Sequence, residues 1–173
     1  VVAHINHGLR KEADQDEKFV KKQVENTQNP IFQSKKFSVR IISQKQKTGI
    51  EETGRKIRYE FFQELAKKYK AKYIITAHHA DDNLETVLLN FTRGASLEGL
   101  SGMQELENNI LRPLLQFSKQ QILNYLKFKK IPYHEDKTNK DLSYTRNFLR
   151  HKIIPQFKKI NLIFLFNPLL SEV

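Results

Sequence analysis

Two apolar runs constrain this chain more than anything else in it. Each stops in a polar cluster and leads toward an amphipathic helical pattern. Val1 to Ile5 runs into His4-Ile5-Asn6-His7-Gly8, and Tyr73-Ile74-Ile75-Thr76-Ala77 runs into His78-His79-Ala80-Asp81-Asp82. Short β-branched and aromatic runs of this kind suit buried strands. Helices between such strands force parallel pairing, because a parallel connection must cross the length of the sheet. Ligands in parallel sheets sit beyond the C-terminal strand ends, which is where both polar clusters fall.

The remaining elements fit this frame. Phe19, Val20 and Val24 in the charged stretch 14–26 predict a surface helix that Pro30 breaks, and Ile31 to Val39 predicts a second strand. Ile57, Phe61 and Leu65 lie four apart within a helical pattern over 51–69, with acidic residues opening it and lysines closing it. Leu84, Val87, Leu88 and Phe91 share one face of a helix over 81–93 that ends at Gly94. A glycine-rich loop follows to Met103. Ser118 is the expected N-cap of a helix carrying Ile122, Leu123 and Leu126. The stretch 135–142 reads as a polar loop, and a last helix is expected over 144–152, before Pro155. The order indicates an α/β fold with a parallel sheet.

Composition narrows the chemistry. The chain has no cysteine, which rules out disulfides and zinc–thiolate sites. Lys and Arg number 30 against 19 acidic residues, a net charge of +11. That excess suits a polyanionic partner, RNA, DNA or an acidic membrane, although a lysine-rich composition by itself gives the same sum. The longest apolar run, Leu162 to Phe166, is too short to cross a bilayer. No signal peptide is visible and a cytoplasmic location is expected.

Each polar constellation admits two readings. Asp82 and Glu85 stand three apart at a helix start, so they can hold Mg²⁺ beside a triphosphate or serve as a capping box with Asp82 as N-cap. The pairs His4/His7 and His78/His79, with Asp81 and Asp82, suit either a hydrolytic metal site or the hydrogen-bonding wall of a base pocket. Arg146 and Arg150, four apart around Asn147, can clamp phosphate or carboxylate, or belong to a solvated basic helix. Arg55 and Arg58 can face an anionic ligand or pair with Glu51 and Glu52 on the surface. The Gly94–Gly102 loop lacks a Gly-Lys-Ser/Thr signature, so it is a mobile lid or an ordinary helix cap and turn rather than a P-loop.

Five stretches, in order and at similar spacing, resemble the tRNA(Ile)-lysidine synthetases: AHINHGLR (3–10), GIEETGRKIRYEFF (49–62), AHHADDNLETVLLNFTRGASLEGLSGM (77–103), LRPLL (111–115) and EDKTNKDLSYTRNFLRHKIIP (135–155). The resemblance implies a PP-loop, adenine nucleotide α-hydrolase-like (Rossmann-like) domain over 1–115 with a helical C-terminal extension over 116–173. It implies a ligase that uses ATP to adenylate the wobble cytidine of a CAU-anticodon tRNA(Ile), after which free lysine displaces AMP and AUG decoding becomes AUA decoding. By the same resemblance Asp82, Glu85 and Arg150 are catalytic, and Asp82 and Glu85 are candidate Mg²⁺ ligands. Ala3, His4, Asn6, Ala77 and His78 border the adenosine, and Arg55, Arg58 and Arg146 face lysine or tRNA. ATP and Mg²⁺ are the implied cofactors. The oligomeric state stays open, with a homodimer among the options.

The family also carries a Ser-Gly-Gly-x-Asp-Ser loop that grips pyrophosphate, and this chain has none. The chain opens at Val1 as a strand already in progress, so an N-terminally truncated domain is expected, inactive alone. A tRNA-binding remnant and a His/Asp metal-dependent hydrolase are the competing functions. Relatives that thiolate tRNA through catalytic cysteines are excluded as a model for the chemistry.

Overall fold

The computed structural model describes residues 1–8, 12–28, 31–134 and 144–159, without the side chains of residues 97, 98 and 158. The elements are β1 (Val2–Asn6), α1 (Ala13–Glu25), β2 (Phe32–Lys36), α2 (Val39–Gln46), α3 (Ile50–Lys68), β3 (Ile74–Ile75), α4 (Ala80–Thr92), α5 (Leu97–Leu100), β4 (Leu106–Glu107), β5 (Ile110–Leu111), α6 (Lys119–Phe128), α7 (Thr145–Phe148), a π-helical turn at Leu149–Ile153, and α8 (Ile154–Lys159). They form two compact units, Val1–Ile74 and Ile75–Val173. The domain boundary expected at 115/116 lies inside the second unit, between β5 and α6. Pro30, the 135–142 loop and the Leu162–Phe166 run lie outside the described residues.

In the first unit β1 and β2 pair in parallel, with Val2 opposite Phe32 and Asn6 opposite Lys36. Helix α1 supplies the crossover that this pairing requires. Lys35 and Lys36, which weaken the β2 pattern in sequence, are exposed and reach carboxylates on neighbouring helices: Lys36 Nζ lies 2.8 Å from Asp14 on α1, and Lys35 Nζ 3.5 Å from Glu64 on α3. The strand expected to run to Val39 stops at Lys36, and Val39 instead opens α2. Its side chain is buried, and Ser43 Oγ closes the helix by donating to Thr48 O at 2.8 Å. Gly54, in the second turn of α3, faces α2 and the end of β1 with room for ordinary contact. A methyl group there would touch Val39 Cγ1 at 3.7 Å and the His7 ring at 3.5 Å. Ile57, Phe61 and Leu65 form the buried face of α3, as their spacing predicts.

In the second unit β3, β5 and β4 form a sheet in that order. β4 and β5 are an antiparallel hairpin whose two-residue turn, Asn108-Asn109, places Asn108 at φ +55°. The sequence pattern shows no such hairpin because its strands are only two residues long. Arg112, in the apolar LRPLL stretch, holds it together. Its buried guanidinium donates to Gln104 O at 2.7 Å and to Glu107 Oε2 at 2.9 Å. The core of this unit is Leu84 and Leu88 of α4 against Leu149 and Ile154, with Leu89, Ile153 and Phe157 packed around them.

The last helix does not stop before Pro155. It runs through a π turn into α8, and Pro155 is the second residue of α8. Proline lacks an N–H and crowds the carbonyl of the preceding turn, and the wider π turn relieves both demands without ending the helix.

The glycine-rich loop is tied to α4 at two points. Asn83 Oδ1 accepts from Met103 N at 2.6 Å, and Asn90 Nδ2 donates to Gly99 O at 2.7 Å. Gly102 sits at φ +76°, and a Cβ there would lie 2.5 Å from Asn83 Oδ1 and 3.0 Å from Val87 Cγ2. Gly102→Ala is therefore expected to destabilise the protein by about 1–3 kcal/mol, through backbone strain and the lost Asn83 contact. Urea denaturation of the variant checks this, and an unchanged midpoint would contradict the packing described.

Candidate functional site

Helix α4 begins at Ala80, one residue before the expected start, but its N-cap lies three residues before the expected one. His79, not Asp82, is the N-cap: its Nδ1 accepts from Asp82 N at 3.2 Å, and Asp82 Oδ2 accepts from His79 N at 3.1 Å. The capping box read from the sequence exists, displaced by one turn, with Asp82 in the position assigned to Glu85. Glu85 consequently falls in the helix interior, where its side chain is 0% exposed. A carboxylate removed from water needs donors and positive charge nearby.

Both come from the RN..R stretch. Arg150 Nε donates to Glu85 Oε1 at 2.5 Å, and Arg150 Nη2 donates to Glu85 Oε2 at 2.8 Å and to Asp82 Oδ1 at 3.3 Å. This two-pronged grip is the geometry that suits a planar guanidinium. Arg146 Nη2 donates to Thr86 Oγ1 at 2.9 Å, and its Nε lies 3.7 Å from Glu85 Oε2. Thr86 in turn donates to Asp82 O at 3.0 Å. Burial, the largest single influence on Arg150, opposes its charge. The hydrogen bond it donates to Glu85 and the charges of Glu85, Asp82 and Asp81 outweigh that, and its pKa is raised. Asp81 has a separate task. Its Oδ2 accepts from Lys119 N at 2.7 Å, at the start of α6, whose own N-cap Ser118 forms a capping box with Gln121.

Both Glu85 oxygens and Asp82 Oδ1 face Arg150, while Asp82 Oδ2 accepts from the His79 amide. Mg²⁺ needs carboxylate oxygens that it can ligate. In this arrangement an Mg²⁺ would have to displace Arg150 from those oxygens. Among the described residues no group of three or more His, Cys, Asp or Glu side chains is placed to hold a metal, so the histidine-pair metal site is not formed among them.

In the first unit, Ala3, His4 and Asn6 lie on β1. Asn6 is buried and faces inward. Its Nδ2 donates to Asp14 Oδ1 at 2.6 Å and Glu17 Oε2 at 3.1 Å, and its Oδ1 accepts from Gly8 N at 3.0 Å. Its amide group thus fixes the strand end. The Lys36 and Asn6 hydrogen bonds hold the Asp14 carboxyl below its usual range; those of Ser34 and Asn6 do the same for Glu17. The His4 ring stacks on Phe32 with centroids 6.4 Å apart, and burial lowers its pKa against the pull of Glu17 and Asp16. His7 is lowered by burial first, then by Arg58 and His4. Its Nε2 faces Arg58 Nη2 at 3.3 Å, and its buried Nδ1 has no hydrogen-bond partner. Arg55 lies over the Tyr59 ring at 5.1 Å. In the second unit Ala77 is exposed after β3, and His78 Nδ1 shares a 2.8 Å hydrogen bond with Thr76 Oγ1.

The sequence reading missed Thr86, Asn83 and Arg112. Thr86 and Asn83 sit inside the most specific motif, but nothing in periodicity reveals a hydrogen-bond partner distant in sequence. The signal for Arg112 was its place inside an apolar run, where a cation needs a buried partner.

The motif order is that of a larger group. Residues 1–157 match the PP-loop domain. The chain belongs to the PP-loop domain family. Among curated relatives, the tRNA(Ile)-lysidine synthase of Petrotoga mobilis is 45% identical over 160 residues, 92% of this chain and 51% of that protein. That of Thermosipho africanus is 44% identical over 162 residues, 94% of this chain and 38% of that protein. The chain therefore spans about half the length of these relatives, or less. A U34-tRNA thiolase from Methanococcus maripaludis superposes with a TM-score of 0.73 at 14% identity, covering 99% of this chain and 62% of the other, which shows a shared fold. In this chain the acidic motif and the RN..R stretch meet in one ion-pair network.

Two predictions follow from these contacts. Removing one member of the Glu85–Arg150 pair leaves the other desolvated, so Glu85→Ala or Arg150→Met alone is expected to cost about 2–4 kcal/mol. The double variant is expected to cost less than the sum, with a coupling of at least about 1 kcal/mol in a urea-denaturation cycle. Independent, additive effects would show that the pair is not formed. The second concerns pH. Folding favours the neutral forms of His4 and His7, so their contribution is complete above the unfolded histidine pKa of about 6.5 and is lost as pH falls from there toward the lower folded values. Unfolding free energy is expected to drop between pH 7.5 and 5.5, and His7→Gln is expected to flatten that slope.

Proposed function

We propose that this chain carries part of the catalytic apparatus of a tRNA(Ile)-lysidine synthase, which joins lysine to the wobble cytidine of a CAU-anticodon tRNA(Ile). The observation that carries the reading is the pairing of Glu85 and Asp82 with Arg150 and Arg146, built from the two stretches of sequence in which the resemblance is most specific. The names and identities of the relatives support it. ATP, when bound, supplies the adenylyl group that makes the cytidine oxygen a good leaving group.

The residues suit an amino-acid substrate. Free lysine brings two cationic amines and one carboxylate. The Asp82 and Glu85 carboxylates offer acceptors for an ammonium group, and the Arg150 and Arg146 guanidinium groups offer donors for a carboxylate. The α-ammonium and carboxylate of lysine can enter such a network by exchanging partners, so neither is left buried and alone. Arg146, steadied by Thr86, restricts how Arg150 and Glu85 rearrange. The attacking amine must lose a proton, to water, before its lone pair can displace AMP, and the site can hold it in one orientation for that step. On the nucleotide side, Ala3 and His4 on β1 in the first unit, and Ala77 and His78 after β3 in the second, are each proposed as adenosine-facing from their own motif. Asn6 positions the β1 end from inside. Arg55 and Arg58 are proposed for the tRNA, and positive groups near the transferring phosphoryl would offset its charge.

The test is incorporation of labelled lysine into a CAU-anticodon tRNA by the intact gene product. Incorporation is expected to require ATP. Arg150→Lys keeps the charge but loses the two-pronged grip, and is expected to lower kcat/KM for lysine by about 100-fold, on the order of a lost charge-assisted pair. Failure of lysine to enter the tRNA at all would end the reading.

A further inference from the structure

The second unit carries a surface that the Asp82–Glu85–Arg150 network does not use. Helix α6 has no buried residue. Ile122, Leu123 and Leu126 are half-buried, while Tyr125 is 58% exposed and Phe128 78% exposed, and residues 127–134 are exposed without a break. Phe128 is the most exposed large apolar side chain among the described residues. Leaving it in water forgoes most of the stabilisation its burial would give, which a binding partner can recover. The two rings stand one turn apart, and Lys129 Nζ sits 5.4 Å from the Phe128 centroid and 6.0 Å from that of Tyr125. Lys127 and Lys130 flank them, and Tyr133 is exposed just beyond. From Asn108 to His134 the sequence has no acidic residue, in a chain that has 19.

Three features define the ligand chemistry. Uncompensated lysines call for a polyanion. Exposed rings among those lysines offer faces on which a planar group can stack while its phosphate meets an ammonium. Lysines alternating with rings leave no continuous apolar face of the kind a membrane-lying helix presents. We infer that the C-terminal half of α6 and the segment after it, Tyr125–Tyr133, form an RNA-docking face that stacks an unpaired base on Tyr125 or Phe128 and neutralises the adjoining backbone with Lys127, Lys129 and Lys130. Such stacking selects single-stranded loops or ends over duplex, whose bases already stack on each other. The inference rests on the proposal that the protein acts on tRNA, and it names a surface for that contact.

The experiment is fluorescence anisotropy of this chain with a labelled CAU-anticodon stem-loop RNA, across a salt series. Tyr125→Ala and Phe128→Ala together are expected to weaken binding tenfold or more, in line with the loss of base stacking. Replacing Lys127, Lys129 and Lys130 with Ala is expected to lower the slope of log K against log salt by about 2, as loss of about three backbone contacts requires. Replacing Lys22, Lys45 and Lys47, exposed lysines of α1, α2 and its C-cap, removes the same charge and is expected to change the slope by less than half as much. Circular dichroism should match wild type throughout. Unchanged affinity in the ring variant overturns the inference, as does loss with either lysine set alike, which would mean diffuse charge. A wild-type chain that does not bind the RNA overturns it too. So does a ring variant that loses only binding to phosphatidylserine vesicles or only self-association, since the face would then serve a membrane or a second copy. The docking face and the proposed function fail separately: if lysine enters the tRNA with unchanged KM for tRNA in the ring variant, the docking face falls and the ligase reading stands.

Discussion

A single carboxylate without contact to water organises the second unit. Glu85 lies inside α4, where its charge is tolerable only with donors of opposite charge in contact. Arg150 provides them from 65 positions further along, and so fixes where the C-terminal helices lie on α4. The apolar contacts agree with that placement. Leu84 and Leu88 flank Glu85 in sequence, and Leu149 and Ile154 flank Arg150, and these four make the core. Polar and apolar demands on the two helices are met by one docking geometry, which is the consistency expected of a foldable sequence. The π turn at Leu149–Ile153 carries Arg150 itself, and it allows the helix to continue past Pro155 so that Phe157 still packs.

Around this pair the loops are held by side chains rather than by long strands. Asn83 and Asn90, one on each side of the Glu85 turn of α4, bind the backbone of the glycine-rich loop. Arg112 ties the hairpin to the segment before it. Asp81 meets the first amide of α6. Helix α4 thus supplies the polar anchors for its neighbours along with the acidic part of the site. That explains why a stretch so rich in Asp and Asn forms a helix at all: the side chains that would disrupt it in isolation have tertiary partners.

The same economy appears at the end of β1. Asn6 has low helix and strand propensity, yet its buried amide joins β1 to two acidic residues of α1 and to the turn at Gly8. His4 and His7 stay on the neutral side because burial opposes their protonation. A neutral imidazole offers both a donor and an acceptor.

The sequence by itself determined the α/β class, the three main helices and the residues of the ion-pair network, because strand runs, helical periodicity and motif spacing are local properties of the chain. Ile57, Phe61 and Leu65 show their buried face in their spacing, and Arg146 and Arg150 their common reach. Only the tertiary structure decided which turn of α4 carries the cap, that Glu85 is buried, that Val39 starts a helix, that Asn108-Asn109 turns a hairpin, and that the helix passes through Pro155. Each of these depends on a partner distant in the chain: Arg150 for Glu85, α3 for Val39, the anchoring Arg112 for the hairpin, and the α4 face for Ile154 and Phe157. Propensity differences of a few tenths of a kcal/mol per residue cannot settle such choices against the several kcal/mol at stake when a charge or an apolar side chain is taken out of water.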